Sequence, residues 1–189
     1  VAHAVNGPVY VRMLRGEIPR LFDKAEPMQF NKARVLSEGS DIALFSSGIC
    51  TEEAMRATRA LRARGVSIQH LHISTLKPFT DTAVLEAAAK ARYGVITMEN
   101  HTIIGGLGTA VAEVMAENGL ARKLVRIGLK DTYAHGASRS YLMREYGLDA
   151  TALVQEVEKL LGAKLNITEE DLAAVRLEAV HSSAKAEAL

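Results

Sequence analysis

The sequence predicts an α/β protein with three layers, α/β/α, around a five-stranded mixed sheet that is mostly parallel with its first strand antiparallel. Three observations predict it. Short apolar runs of strand length alternate with segments whose apolar residues recur every three to four positions. Alternating strands and helices favour a largely parallel sheet with right-handed crossovers and helices on both faces. One connection, Ser37-Glu38-Gly39-Ser40, is short enough to join two strands directly, so the first strand is expected to run against the others.

Gly7-Pro8 is a turn signal, and Pro8-Val9-Tyr10-Val11-Arg12-Met13-Leu14 reads as a strand from its β-branched and aromatic content. Residues 17–31, with Pro19, Pro27 and mixed polarity, read as a linker. Ala33 to Leu36 is a short strand, and Asp41 to Ser46 the next. After Gly48, Thr51 is the expected N-cap of a helix whose first turn carries Glu52 and Glu53. Ala54, Ala57, Thr58, Ala60 and Leu61 form its buried face, and Gly65 ends it. Val66 to Ile73 is a strand with His70 and His72 on one face. Two such histidines could ligate a metal, but no third ligand is evident, and strand histidines often sit hydrogen-bonded beneath a helix. Thr80 or Asp81 caps the following helix, which turns Val84, Leu85 and Ala88 inward.

Tyr93 to Met98 is the next strand, and Leu107, Ala110, Val111, Val114 and Met115 mark the helix after it. Leu124 to Ile127 is the last strand, followed by the polar loop Asp131 to Gly136 and by helices near Ser138–Tyr146 and Asp149–Leu161. Thr168-Glu169-Glu170-Asp171 is a capped helix start, with Leu172, Val175, Ala179 and Val180 as a thin apolar stripe.

The 189 residues suffice for one domain with a full core and flanking sequence. A net charge of +1 gives no reason to expect nucleic acid or an anionic membrane as partner. Cys50 is the single cysteine, which rules out an internal disulfide framework and is compatible with a reducing, cytoplasmic setting. No apolar run approaches the length of a membrane span. The start at Val1, without methionine, reads as the beginning of a piece of a longer protein.

Between strand and helix lies Glu99-Asn100-His101 and the turn Gly105-Gly106-Leu107-Gly108. Loops at the carboxyl ends of parallel strands are where such folds usually meet ligands. A dinucleotide fingerprint fails, because Val111 stands where a third Gly or Ala belongs and the next strand offers no acidic residue where a ribose partner would sit. The alternative is that the glycines let a helix begin close to neighbouring backbone. Glu99 and His101 read either as an acid/base pair or as a loop end held by hydrogen bonds.

The run Glu99-Asn100-His101-Thr102-Ile103-Ile104-Gly105-Gly106-Leu107-Gly108-Thr109-Ala110-Val111-Ala112-Glu113 resembles the C-terminal domain of transketolases, above all the separately encoded C-terminal subunits of split transketolases. Thr75-Leu76-Lys77-Pro78-Phe79 is similar to the family's Thr-x-Lys-Pro-Leu segment, and Asp41 to Gly48 to its first parallel strand and turn. The resemblance covers roughly residues 1–162. It implies that residues 1–16 are the last strand of a preceding pyrimidine-binding domain, 17–31 the linker, 32–162 the C-terminal domain and 163–189 a helical extension.

It also implies transfer of a two-carbon ketol unit between phosphosugars by the full protein, a homodimer with an N-terminal transketolase domain or subunit. Thiamine diphosphate and a divalent metal would serve the full enzyme, and the family's Gly-Asp-Gly…Asn motif for them does not occur here. No cofactor-binding or metal residue is therefore expected in this chain, which would support assembly and be inactive alone. Arg15 matches the arginine of the family's Arg-x-x-Leu-Pro pattern and is implied to bind substrate phosphate. Arg12 matches an arginine of the deoxyxylulose synthase branch and is a further candidate, as are Glu99 and His101 without an assigned role. The same domain occurs in 1-deoxyxylulose-5-phosphate synthase and in the beta subunit of 2-oxo-acid dehydrogenases. A subunit-interaction module is the alternative outside enzymes.

Overall fold

The computed structural model describes residues 2–13, 20–23 and 25–175. Five strands form one sheet: β1 (Arg34–Ser37), β2 (Ile42–Ser46), β3 (Ile68–His72), β4 (Gly94–Thr102) and β5 (Leu124–Leu129). Their order across the sheet is β1-β3-β2-β4-β5. β2, β3, β4 and β5 pair in parallel and β1 is antiparallel, as the sequence predicts. The partner of β1 differs from the one a tight turn implies. The short Ser37–Ser40 turn does not fold β1 back on β2. It crosses over β3, and β1 pairs with β3, placing Arg34 opposite His72.

β2 is buried along its whole length because it lies in mid-sheet with helices on both faces. Its side chains alternate between them. Ile42 and Leu44 join Ile68, Ile96 and Met98 under α1 (Cys50–Ala63) and α5 (Ala150–Leu161). Ala43 and Phe45 join Leu71 and Val95 under α2 (Thr82–Lys90) and α3 (Leu107–Glu117). α4 (Arg139–Glu145) adds Met143 and α6 (Glu169–Ala174) adds Leu172 to the first layer. Each fully buried aliphatic side chain of this kind contributes about 1.5–3 kcal/mol relative to exposure.

Local signals explain most helix ends. Asp81 caps α2 by accepting from the Ala83 N–H, and Asp149 caps α5 by accepting from Ala152. Gly162 ends α5 in the left-handed conformation, at φ 69°. Thr168 and Asp171 form the reciprocal capping box at α6. The apolar stripe expected to run on to Ala179 and Val180 lies, past Val175, outside the described residues.

Two further expectations change. α1 begins one residue before Thr51, with Ile49 at the cap position and no side-chain cap. Thr51 is turned inward instead, for a reason given below. The strand read into Pro8–Leu14 is not formed over residues 8–13, because a strand needs a ladder partner and no described strand offers them one. Tyr10 and Met13 lie open to solvent. Among the described residues, no helix is long and apolar enough to cross a membrane.

Candidate functional site

The carboxyl ends of β2 and β4 form the natural crevice of this sheet. β2 leads through α1 to β3 on one side, while β4 leads through α3 to β5 on the other, so the connections diverge between them. The crevice is built by Gly48, the start of α1, and Glu99-Asn100.

Glu99 is 2% exposed and accepts two backbone hydrogen bonds from the first turn of α3, from Leu107 N–H at 2.7 Å and Gly108 N–H at 2.8 Å. These are orphan donors of a helix start, and a carboxylate there also meets the positive end of the helix dipole. The glycines follow from this arrangement. A Cβ on Gly106 would fall on the Glu99 carboxylate, and one on Gly108 would lie 2.7 Å from Arg126 Cδ and 3.0 Å from Thr97 Oγ1. Of the two readings of the turn, close helix approach accounts for it. His101 is exposed, and its Nδ1 donates to the Thr102 carbonyl at 3.0 Å. Glu99 and His101 share no hydrogen bond or ion pair, since both Glu99 oxygens are taken by α3 and His101 faces its own strand end.

Arg12 reaches the same crevice from the N-terminal segment, where its Nη2 donates to the Asn100 carbonyl at 2.8 Å. Gly48 sits at φ 57°, and a Cβ there would run into Asn100 Oδ1. Cys50 lies fully buried at the start of α1, and burial pushes its thiol pKa far up, away from any nucleophilic thiolate. Arg15 lies outside the described residues.

Under α1 runs a buried polar chain. His72 Nδ1 is hydrogen-bonded to Thr51 Oγ1 at 2.8 Å, Thr51 to Ser46 Oγ at 3.0 Å, and Ser46 to His70 Nε2 at 2.8 Å. Thr58 Oγ1 approaches His70 Nδ1 at 3.4 Å. Burial first, then the neighbouring His72, lowers the pKa of His70 to about 3. Burial, then the Arg34 charge, lowers that of His72 to about 4. Both imidazoles are neutral at pH 7; both ring nitrogens of His70 face hydroxyls, and Nδ1 of His72 does. This is why Thr51 leaves the cap position. Among the described residues no group of three or more His, Cys, Asp or Glu side chains is placed to hold a metal ion.

A cavity of about 930 Å³ opens between the segment around Phe22 and Pro27 and the ends of β2 and β3. Phe22 packs on His72 at 5.1 Å between ring centres, and Arg34 lies 4.4 Å over the Phe22 ring. Arg34 also pairs with the Glu26 carboxylate at 2.8 Å.

The chain was compared with known proteins. The family model described as Transketolase, C-terminal domain, matches residues 31–153. The chain belongs to that family. A Methanocaldococcus jannaschii protein provisionally named transketolase C-terminal section is 37% identical over 154 residues, covering 80% of this chain and 48% of that protein. The 6-deoxy-6-sulfo-D-fructose transketolase subunit SqwH of Clostridium sp. is 35% identical over 161 residues, covering 85% and 49%. A solved structure described as split gene transketolase, inactive beta4 tetramer, superposes with a TM-score of 0.78 at 34% identity, covering 86% of this chain and 53% of that one. The chain therefore spans about half the length of the relatives it matches.

Within this transketolase C-terminal domain, Arg12 and Glu99 meet the walls of one crevice and His101 stays outside it. Sequence reading missed Ser46 and Thr51 as hydrogen-bonding partners of the histidines. The signal was available in part, since a hydroxyl ending β2 faces the same layer as His70 on the adjacent strand. It also missed the Arg12–Asn100 link, for which a separation of 88 residues leaves no local trace.

Proposed function

We propose that this transketolase C-terminal domain works as part of a thiamine diphosphate-dependent transketolase that transfers a two-carbon ketol unit between phosphosugars. In this reading it assembles with an N-terminal transketolase domain or subunit, as a homodimer, in the cytoplasm. The observation that carries the reading is the likeness to the split gene transketolase chain over most of this chain's length. Residues 1–16 would then end a pyrimidine-binding domain and 17–31 would link it to the C-terminal domain.

The described residues do not fit thiamine diphosphate and its metal. No acidic or histidine cluster converges, and the buried Glu99 carboxylate is filled by two α3 N–H groups. The cofactor belongs on the N-terminal part, and this chain alone is inactive. Calorimetric titration of the chain with thiamine diphosphate and magnesium should show no saturable binding; one-to-one binding would overturn that assignment.

The contribution to substrate recognition is Arg15, whose guanidinium offers a fork of charged donors to a sugar phosphate. Charged hydrogen bonds contribute about 1.5–3 kcal/mol. In the reconstituted enzyme, Arg15→Ala should lower kcat/KM for phosphorylated sugars by roughly tenfold to a hundredfold. Unphosphorylated analogues, which present no anion, should lose little. Steady-state kinetics on a matched pair of sugars checks this, and an equal loss on both would show that Arg15 supports structure and does not read phosphate.

A further inference from the structure

We propose that the cavity beside Phe22, at the carboxyl ends of β2 and β3, binds a small organic carboxylate between the Arg20 guanidinium and Nε2 of His72. Its volume of about 930 Å³ suits a small molecule. It also lies beyond the ends of two parallel strands, the side of such a sheet on which ligands are taken up. Phe22 and Met28 give the lining an apolar part, and Thr51, His72 and Ser74 a polar one. Nδ1 of His72 is committed to Thr51 Oγ1 at 2.8 Å. Nε2 has no partner among the described residues, yet the buried side-chain atoms without one are Thr97 Oγ1 and Asn100 Oδ1, so Nε2 is the open side of the ring.

The charges of the lining set the class of ligand. Arg20, Lys32 and Arg34 are its cations, Asp23 and Glu26 its carboxylates. Lys32 pairs with Asp81 at 3.3 Å and Arg34 with Glu26 at 2.8 Å. Asp23 accepts from the Ala25 N–H at 2.9 Å. Arg20 forms no ion pair among the described residues, which leaves its fork of donors to an anion from outside. A singly charged carboxylate matches one guanidinium and one imidazole N–H. A doubly charged phosphate would meet more repulsion from Asp23 and Glu26, and like charges placed together are costly.

The buried chain behind His72 decides what its open nitrogen offers. Each hydroxyl in it has one proton to give, so the chain runs in one of two senses. In the first, His70 Nε2 donates to Ser46, Ser46 to Thr51, and Thr51 to His72 Nδ1, which puts the His72 proton on Nε2. In the second every bond is reversed, and Nε2 of His72 is a bare acceptor that would repel a carboxylate. A bound carboxylate therefore selects the first sense. It also sets the proton of His70 on Nε2 and leaves Nδ1 to accept from Thr58 Oγ1. His70 is fully buried and does not line the cavity, so its tautomer reports on the ligand from a distance.

Benzoate is the probe, with benzyl alcohol as its neutral counterpart and phenyl phosphate as its doubly charged one. In the full chain, nitrogen spectra of labelled imidazoles follow the titrations. Benzoate should saturate one site and bind roughly tenfold more tightly than either counterpart. Arg20→Gln should weaken it by about tenfold to a hundredfold, the effect of a charged hydrogen bond. Arg20→Lys, which keeps the charge and loses the fork, should restore part of that. Arg20 has no ion pair to lose, so Arg20→Gln should melt at the parent temperature. At saturation both His70 and His72 should carry their proton on Nε2. No saturable binding of benzoate, or binding that Arg20→Gln leaves unchanged in a folded variant, overturns the site. Phenyl phosphate binding as tightly as benzoate overturns the choice of a carboxylate. A bare Nε2 on His72 in the saturated protein overturns its share in holding the anion.

Discussion

Glu99→Ala should lower the unfolding free energy of the domain by about 3–5 kcal/mol, read as a fall in the urea midpoint with the slope unchanged. The carboxylate serves two backbone donors inside the protein, and hydrogen bonds to charged groups contribute about 1.5–3 kcal/mol each. Removing the acceptor leaves both N–H groups of α3 buried and unmatched, and it opens a void under Gly106. Glu99→Gln separates the two contributions. An amide can accept from one N–H, but its own NH2 group then opposes the other, so about 2–3 kcal/mol should still be lost. Loss under 1 kcal/mol in both variants would show that α3 does not depend on this carboxylate.

Acidification from pH 7.5 to pH 5 should cost about 3 kcal/mol through His70 and His72. Their folded pKa values, about 3 and about 4, lie below the ordinary 6.5. Below pH 6.5 the unfolded chain takes up protons that the folded chain refuses. The stabilisation is therefore complete above 6.5 and is lost as pH falls, until His72 saturates near 4 and His70 near 3. Each group contributes up to about 1.4 kcal/mol per pH unit in that window, somewhat less for the half-buried His72. The groups facing the pair are Ser46, Thr51 and Thr58, with Arg34 as the nearby charge, and none is a carboxylate that would welcome an imidazolium. Urea unfolding at the two pH values and imidazole proton shifts across the range are the measurements. Flat stability, or His70 titrating near 6.5, would contradict the buried chain.

The layers were legible in the sequence because each rests on a local period. Ile42 to Phe45 and Val95 to Met98 are unbroken apolar runs bounded by turns, and Leu107, Val111 and Met115 recur at helical spacing. The role of Glu99 is not legible locally, since the donors it serves lie eight and nine residues ahead and only the folded turn brings them back. Thr51 was misread because a hydroxyl at a helix start satisfies the capping rule as well as it satisfies a histidine beneath. β1 was assigned the right direction with the wrong neighbour: a tight turn constrains direction, while β3, some thirty residues further on, decides which strand it pairs with. Arg15, which the family resemblance marks most strongly, lies outside the described residues.

The insertion of β3 between β1 and β2 sets a timetable for synthesis. When β1 and β2 have left the ribosome, neither can pair with the other in the native way, because the strand that separates them has not been made. At about 5–20 residues per second, β3 follows only after a few seconds. For that interval β1 is a bare edge whose backbone groups must be content with water, and the short, polar Ser37-Glu38-Gly39-Ser40 connection suits that wait. Asn100 emerges later still, so Arg12 finds its seat only after β4 has been made.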